Sequence, residues 1–219
     1  MAPSSDQEQP RPAKFWRCRA LRPDGTPAWV AAVWSGEHKD GELVDLPEPD
    51  ATQAVGDDVY CLAGFDDEGE VTSLIATSLA APKAPPLWFA DLPEPTAAPP
   101  AHSLVAFSGH GVEAGSLVSR AALSDVTVTS PDQIGAVRWY PATGELDQVY
   151  VQPRWRRRSI ATALMTVAGL LNVTRGRPRL WSDGQRTAMG DRLRDASPLA
   201  AWAADLTHLA PPMTPFDER

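Results

Sequence analysis

One segment of the chain carries residue types at a spacing that could hold a charged ligand: Val149 to Leu164, V-Y-V-Q-P-R-W-R-R-R-S-I-A-T-A-L. Apolar positions alternate up to Val151, Pro153 breaks the run, and four arginines crowd positions 154 to 158. From Ile160 the apolar period changes from two to about 3.6. A strand, turn and helix in that order bring a row of main-chain N–H groups to the helix start, where they have no partner within the helix. The helix dipole adds positive potential, so a phosphate can sit there, and the flanking arginines can add charge-assisted contacts. The bland alternative is a solvated basic turn.

The segment resembles motif A of the GNAT N-acetyltransferases, commonly written V-x-P-x-x-[RQ]-x-x-G-[IV]-[GA]-x-x-L. The matching positions are Val151, Pro153, Arg156, Ile160, Ala161 and Leu164, with Trp155 where the family often has Tyr or Phe. Ser159 replaces the usual first glycine. If the backbone there needs a positive φ, the serine strains the loop; if it is helical, the serine adds a donor. The resemblance runs from about Ile134 to Asp195 and implies an α/β fold, a mixed, mostly antiparallel sheet with flanking helices, preceded by a β-rich N-terminal region. The family's usual pair of N-terminal helices is not evident.

By that resemblance the acyl donor is acetyl-coenzyme A (acetyl-CoA), and the acceptor is a primary amine on a small molecule or a protein. Main-chain groups of Val149, Tyr150 and Val151 would pair with pantetheine. Arg156, Arg157, Arg158, Ser159, Ile160 and Ala161 would hold the pyrophosphate. Such a reaction needs a group to take a proton from the incoming ammonium, and Glu145 and Asp147, just ahead on the strand, are candidates; ordinary polar residues on a hairpin are the alternative. His102 and His110, around A-F-S-G-H-G, are further candidates against a plain loop role. Ser182, Thr187 and Gly190 could shape the acceptor side, with helix capping the stronger explanation for Ser182. The tyrosine that the family often places in the next helix has no counterpart between Trp181 and Asp195. A catalytically degenerate GNAT-like binding or structural component, for example of a phage or bacterial assembly, is therefore the competing expectation.

The elements that must position these groups are short. Apolar runs at Phe15 to Leu21, Ala28 to Trp34, Val59 to Ala63 and Val71 to Ile75, separated by R-P-D-G-T-P and F-D-D-E-G-E, predict two β-hairpins over residues 14 to 80. Residues 1 to 13 read as a disordered leader and 81 to 100, rich in proline, as an extended linker, leaving 101 to 219 as the acyl-CoA-binding domain. Beyond the linker, Leu104 to Phe107 and Val126 to Thr129 are expected strands. The hairpin Ile134 to Tyr140 and Leu146 to Val151 follows, then an amphipathic helix from Ser159 to Leu171, a short strand at Arg179 to Trp181, and helices near 185 to 195 and 198 to 209. Trp16, Trp29, Trp34 and Trp88 read as core or interface rather than ligand platforms. No internal repeat is visible.

Charge is unevenly spread. The net of −8 at neutral pH splits into −13 before Val151 and +5 from there on. Ten of the last 11 basic residues are arginines between Arg154 and Arg194, which favours a pocket for an anion; the acidic remainder repels nucleic acid and leaves room for a separate protein partner. No run of about 18 apolar residues predicts a membrane span. Two cysteines without metal-binding spacing fit a reducing cytoplasm, and no metal is expected.

Overall fold

The computed structural model describes residues 15–35, 38–48, 50, 56–183, 185–186, 188–195 and 208–209. The alternating N-terminal runs form β1 (Phe15–Leu21), β2 (Pro27–Trp34), β3 (Leu43–Pro47), β4 (Val59–Phe65) and β5 (Val71–Ala76). The hairpin turns are tied by short carboxylates: Asp24 accepts from Thr26, and Asp66 from the N–H groups of Glu68 and Glu70. The Arg22 guanidinium clasps both turns by donating to the carbonyls of Pro27, Phe65 and Asp66. Later come β6 (Trp88–Glu94), β7 (Ala101–Phe107), β8 (Leu117–Ser119), the short α1 (Arg120–Leu123), β9 (Gly135–Tyr140) and β10 (Glu145–Val151). Helix α2 (Ile160–Thr174) and helix α3 (Ala188–Asp195) follow, and β11 (Gln185–Arg186) pairs in parallel with β12 (His208–Leu209).

The fold is therefore α/β, mostly strands, with two mixed five-stranded sheets and few helices. The first sheet has the order β3-β1-β2-β4-β5 and the second β8-β6-β7-β9-β10. In each, the third strand in sequence joins the first in parallel and all other neighbours are antiparallel. A 3-10 turn precedes the fourth strand both times, at Gly56–Asp58 and Ser130–Asp132. The two halves thus repeat one topology, which the sequence conceals because strand order needs only alternation, not shared residues.

Helix α2 lies between the sheets, packed against β4 and β5 on one side and β9 and β10 on the other. Ile160, Ala163, Leu164, Val167, Ala168 and Leu171 are buried among residues of both sheets, so one continuous core crosses the chain. The single stripe expected of an amphipathic helix is accordingly too narrow. Cys61 donates to the Thr166 carbonyl from β4, and burial pushes its thiol up to about 12.

Residues 81–100 are not simply an extended linker. They include β6, which lies between β7 and β8 with Trp88, Phe89 and Ala90 buried. Leu87 to Leu92 is free of proline, and Pro93 falls beyond the stretch that β8 pairs, so its missing N–H breaks no ladder. Val126 to Thr129 is a loop rather than a strand, with Val126 and Val128 packed on the outer face of the second sheet. The expected 185–195 helix begins only at Ala188, and the last two positions of the expected 198–209 helix are strand; the rest of that helix and the 1–13 leader lie outside the described residues. No helix among the described residues is long and apolar enough to cross a membrane.

A buried ionic cluster ties the C-terminal end of α2 to the second sheet. Asp91 on β6 bonds to His102 on β7 and, at 2.7 Å, to Arg175 at the end of α2, while the His102 ring stacks on Trp139. Burial pushes the Asp91 carboxyl up, but the bonds from His102 and Arg175 outweigh it and hold the group at about 2. A carboxyl depressed on folding stabilises above its ordinary value of 3.8 and loses that contribution as pH falls toward 2. We expect Asp91→Asn to lower stability at pH 6 by about 2 kcal/mol and to flatten the acid limb between about pH 4 and 2, measured by urea unfolding across pH.

Candidate functional site

Strand β10 ends its sheet. Its inner side pairs with β9; among the described residues its outer side is met only at the start, where Trp181 bridges Glu145 in parallel. Leu146 donates to the Trp181 carbonyl at 2.8 Å and Trp181 to the Gly144 carbonyl at 2.9 Å. Gly144 has φ +76°, and a Cβ there would lie 2.2 Å from the Arg179 carbonyl oxygen, so glycine is what lets the returning chain come so near. A register shift between Leu146 and Gln148 leaves Asp147 without an opposite residue. Farther on, the Gln152 N–H donates to Ile134 O. Counting back by alternation, the main-chain groups of Val149 and Val151 face away from β9 and those of Tyr150 face it. Among the described residues no strand follows β10 along the outer edge past Trp181.

The turn after β10 has an unusual supply of donors. A 3-10 turn at Pro153–Trp155 leads to Arg157 and Ser159, both left-handed with φ of 61° and 58°. The first helix-type bond is Ala163 N–H to Ser159 O at 2.9 Å. Among the described residues, no acceptor takes the main-chain N–H groups of Arg157, Arg158, Ser159, Ile160, Ala161 or Thr162. The arginines around them are also unneutralised. Arg19, Arg22, Arg138, Arg175 and Arg179 each meet a carboxylate, whereas the ion pairs of the described residues include none for Arg154, Arg156, Arg157 or Arg158. Arg154 is anchored on Gln152 and the Pro131 carbonyl, Arg156 donates back to Val151 O at 3.2 Å, and Arg158 lies over the Trp155 ring. Arg154 lies close enough to Asp132 to help lower its carboxyl; Arg156, Arg157 and Arg158 with the six N–H groups form a local excess of positive potential that a diphosphate would relieve.

The two carboxylates proposed from sequence have different surroundings. Asp147 accepts from Arg138 on one oxygen at 2.5 Å and from the Tyr140 hydroxyl on the other at 2.8 Å. Arg138 reaches on to Glu94, which also accepts from Ser103. Hydrogen bonds to Glu94 and Asp147 push the Arg138 guanidinium above its ordinary value, and the bond to Asp147 pushes the Tyr140 phenol up. Each oxygen of Asp147 thus already accepts one hydrogen bond. Glu145 has no hydrogen bond or ion pair to its side chain among the described residues; it stands opposite Tyr140 and beside Trp181, where the edge closes.

The other candidates are dispersed. His102 is buried in the Asp91 cluster, and His110 lies 3.6 Å from Asp132 in a loop. Ser182 donates to the Asp183 carbonyl, Gly190 lies within α3, and Thr187 is outside the described residues. Trp16 and Trp88 are buried, Trp29 packs on the small cluster beside Cys18, and Trp34 stacks on Phe15 at 38% exposure. Sequence reasoning missed Arg138, Tyr140 and Glu94. Arg138 and Tyr140, two apart on β9, did signal a shared polar face, but the bulge at Asp147 disguised which carboxylate they meet. The chain matches no family model, no curated protein and no solved structure.

Two substitutions check this geometry. Gly144→Ala should cost roughly 2 kcal/mol or more through the Arg179 clash and the positive φ, read from urea midpoints. Ser159→Gly exchanges about 1 kcal/mol of left-handed strain for a similar backbone entropy loss and should stay within about 1 kcal/mol of the parent, while Ser159→Val should lose about 1–2 kcal/mol.

Proposed function

We propose that the protein binds acetyl-CoA along the free edge of β10 and transfers the acetyl group to a primary amine, as a divergent GNAT-like N-acetyltransferase. The observation that supports this most is the row of unclaimed N–H groups from Arg157 to Thr162, set among unpaired arginines at the open end of a free strand edge. In this reading the pyrophosphate takes those N–H groups and the pantetheine amides pair with Val149 and Val151. From Val151 back to Asp147 the strand rises about 13 Å, which carries the thioester toward the closed end at Trp181. Glu145 is the carboxylate there with free oxygens, so it accepts the proton of the acceptor ammonium. The amine nitrogen then bonds to the acetyl carbon, the C–S bond breaks, and the departing thiolate takes up, by way of solvent, the proton that the nitrogen gives up as the amide forms. Positioning supplies most of the rate. The same reading puts the protein in the cytoplasm, where acyl-CoA is made.

A second reading, a GNAT-like binding or structural component without turnover, is favoured by the pairing of Asp147 with Arg138 and Tyr140 and by the lack of a tyrosine between Trp181 and Asp195. Calorimetric titration with acetyl-CoA tests both. Binding is expected, with about 2.7 kcal/mol of added stability at 100 times the dissociation constant. Replacing Arg157 and Arg158 by alanine should weaken it at least tenfold. Glu145→Gln should keep binding and lower amine-dependent release of coenzyme A about 100-fold. Binding without any thioester cleavage selects the second reading, and a flat titration removes both.

A further inference from the structure

Three segments set one row of side chains across the edge of the second sheet. Glu145 on β10 stands opposite Tyr140 on β9 and is bridged on its other side by Trp181. Paired residues of adjacent strands send their side chains to the same face, so the carboxylate lies between two aromatic residues whose backbones are about 10 Å apart. We infer that this row binds an alkylammonium ion through the Glu145 carboxylate and the Trp181 ring, and that the acceptor amine enters there on a methylene chain with no carboxylate beside the nitrogen. As a cation site the row stands alone; as the acceptor site it rests on the proposed acetyl transfer.

The neighbouring pair shows what such a row holds. The Arg138 guanidinium lies 5.8 Å from the centre of the Tyr140 ring and bonds to Asp147, whose other oxygen accepts from the Tyr140 hydroxyl. A cation is there shared by a ring and a carboxylate. One strand farther out the same two kinds of group recur, Trp181 in place of Tyr140 and Glu145 in place of Asp147. Among the described residues no guanidinium or ammonium lies over the Trp181 ring, and no hydrogen bond or ion pair reaches the Glu145 side chain. Indole is the aromatic side chain that attracts a cation most strongly. This one is held in place by its own N–H, which donates to the Thr143 carbonyl at 3.1 Å, and it remains 40% exposed, so a ligand reaches it without rearrangement.

Charge decides the class of amine. Arg138 is divided between Glu94 and Asp147, Arg120 helps to lower the Glu94 carboxyl, and Arg179 meets Asp40, so none of the three bonds to Glu145. An acceptor with a carboxylate beside its amine would bring like charge against Glu145 and Asp147. One with an uncharged head would gain neither the ion pair nor the cation–π attraction. A lysine side chain and a free alkylamine both present an ammonium on methylenes, which can lie along the exposed indole.

The test is a titration of the full chain with n-butylammonium chloride at constant ionic strength and without acetyl-CoA, followed by NMR of the Trp181 indole N–H and the main-chain amides. Saturable shifts at Tyr140, Glu145 and Trp181 are expected, with 1-butanol and glycine about tenfold weaker or more. Trp181→Leu and Glu145→Gln should each weaken binding about fivefold, and Trp181→Tyr should keep most of it. Should a variant fail to fold, the comparison with 1-butanol decides. Nα-acetyl-lysine amide separates the two sources: binding at least as tight as that of butylammonium indicates a lysine side chain, and weaker binding a free alkylamine. Shifts that do not saturate, an equal response to 1-butanol, or unchanged affinity in both folded variants would overturn the inference. A bound cation beside a flat acetyl-CoA titration ends the acceptor role and keeps the cation site, whereas acetyl-CoA binding without cation binding removes this inference alone.

Discussion

The burial of α2 on two sides is the constraint on which the rest depends. Held between the sheets, the helix leaves only part of its surface, at Ala161, Thr162, Met165, Val173 and Thr174, half-buried, and Ile160, Leu164, Val167, Leu170 and Leu171 each contribute about 1.5–3 kcal/mol of burial. Small, fully buried residues, Ala163 and Ala168, let the sheets close in. The few polar groups admitted are satisfied: Asn172 accepts from the Trp139 indole and donates to the Pro178 carbonyl, which starts the chain on its return toward Trp181. The helix thereby sets both ends of the candidate site, the donor-rich turn at its start and, through Asn172, the segment that closes the β10 edge.

Close approach does the rest of the positioning. A Cβ on Gly135 would lie 2.7 Å from the Tyr150 carbonyl and 3.0 Å from the Leu164 side chain. Its absence seats the first turns of α2 directly on the β9–β10 hairpin. The free N–H groups and the free strand edge then belong to one rigid unit rather than to a strand and a loop that move independently. Strain is tolerated at Arg157 and Ser159 because the helix on one side and the Arg156 bond to Val151 on the other over-determine the turn.

Legibility in the sequence followed the range of the interactions. The hairpins around R-P-D-G-T-P and P-A-T-G and the helix after Ser159 were readable because turn chemistry and apolar period are local. Strand β6 was not, since proline on both sides of L-W-F-A-D-L outweighed six residues of strand pattern, and only the β7 and β8 partners show where those prolines do no harm. The arginine turn was readable as a cluster, but the absence of an ion pair to it among the described residues depends on where Asp132, Asp147 and the rest of the acidic chain come to lie. Asp147 and Glu145 looked equivalent. A one-residue bulge turns the former toward Arg138 and Tyr140 and leaves the latter unattached.

The two halves show how little of a topology is specific to a task. Among the described residues, both end in a strand whose outer edge is bridged near one point, at Trp181 for β10 and at Gly115–Ser116 for β5. What differs is the turn that follows: after β10 four arginines stand among six unclaimed N–H groups, whereas after β5 three prolines and the bonds from Ala80, Ala81 and Ala84 leave the N–H groups of Ser78, Leu79 and Lys83. Since main-chain donors and fixed charge govern whether an anion is stabilised or excluded, the same edge geometry carries different electrostatics in the two halves: four arginines follow β10, and Lys83 alone follows β5.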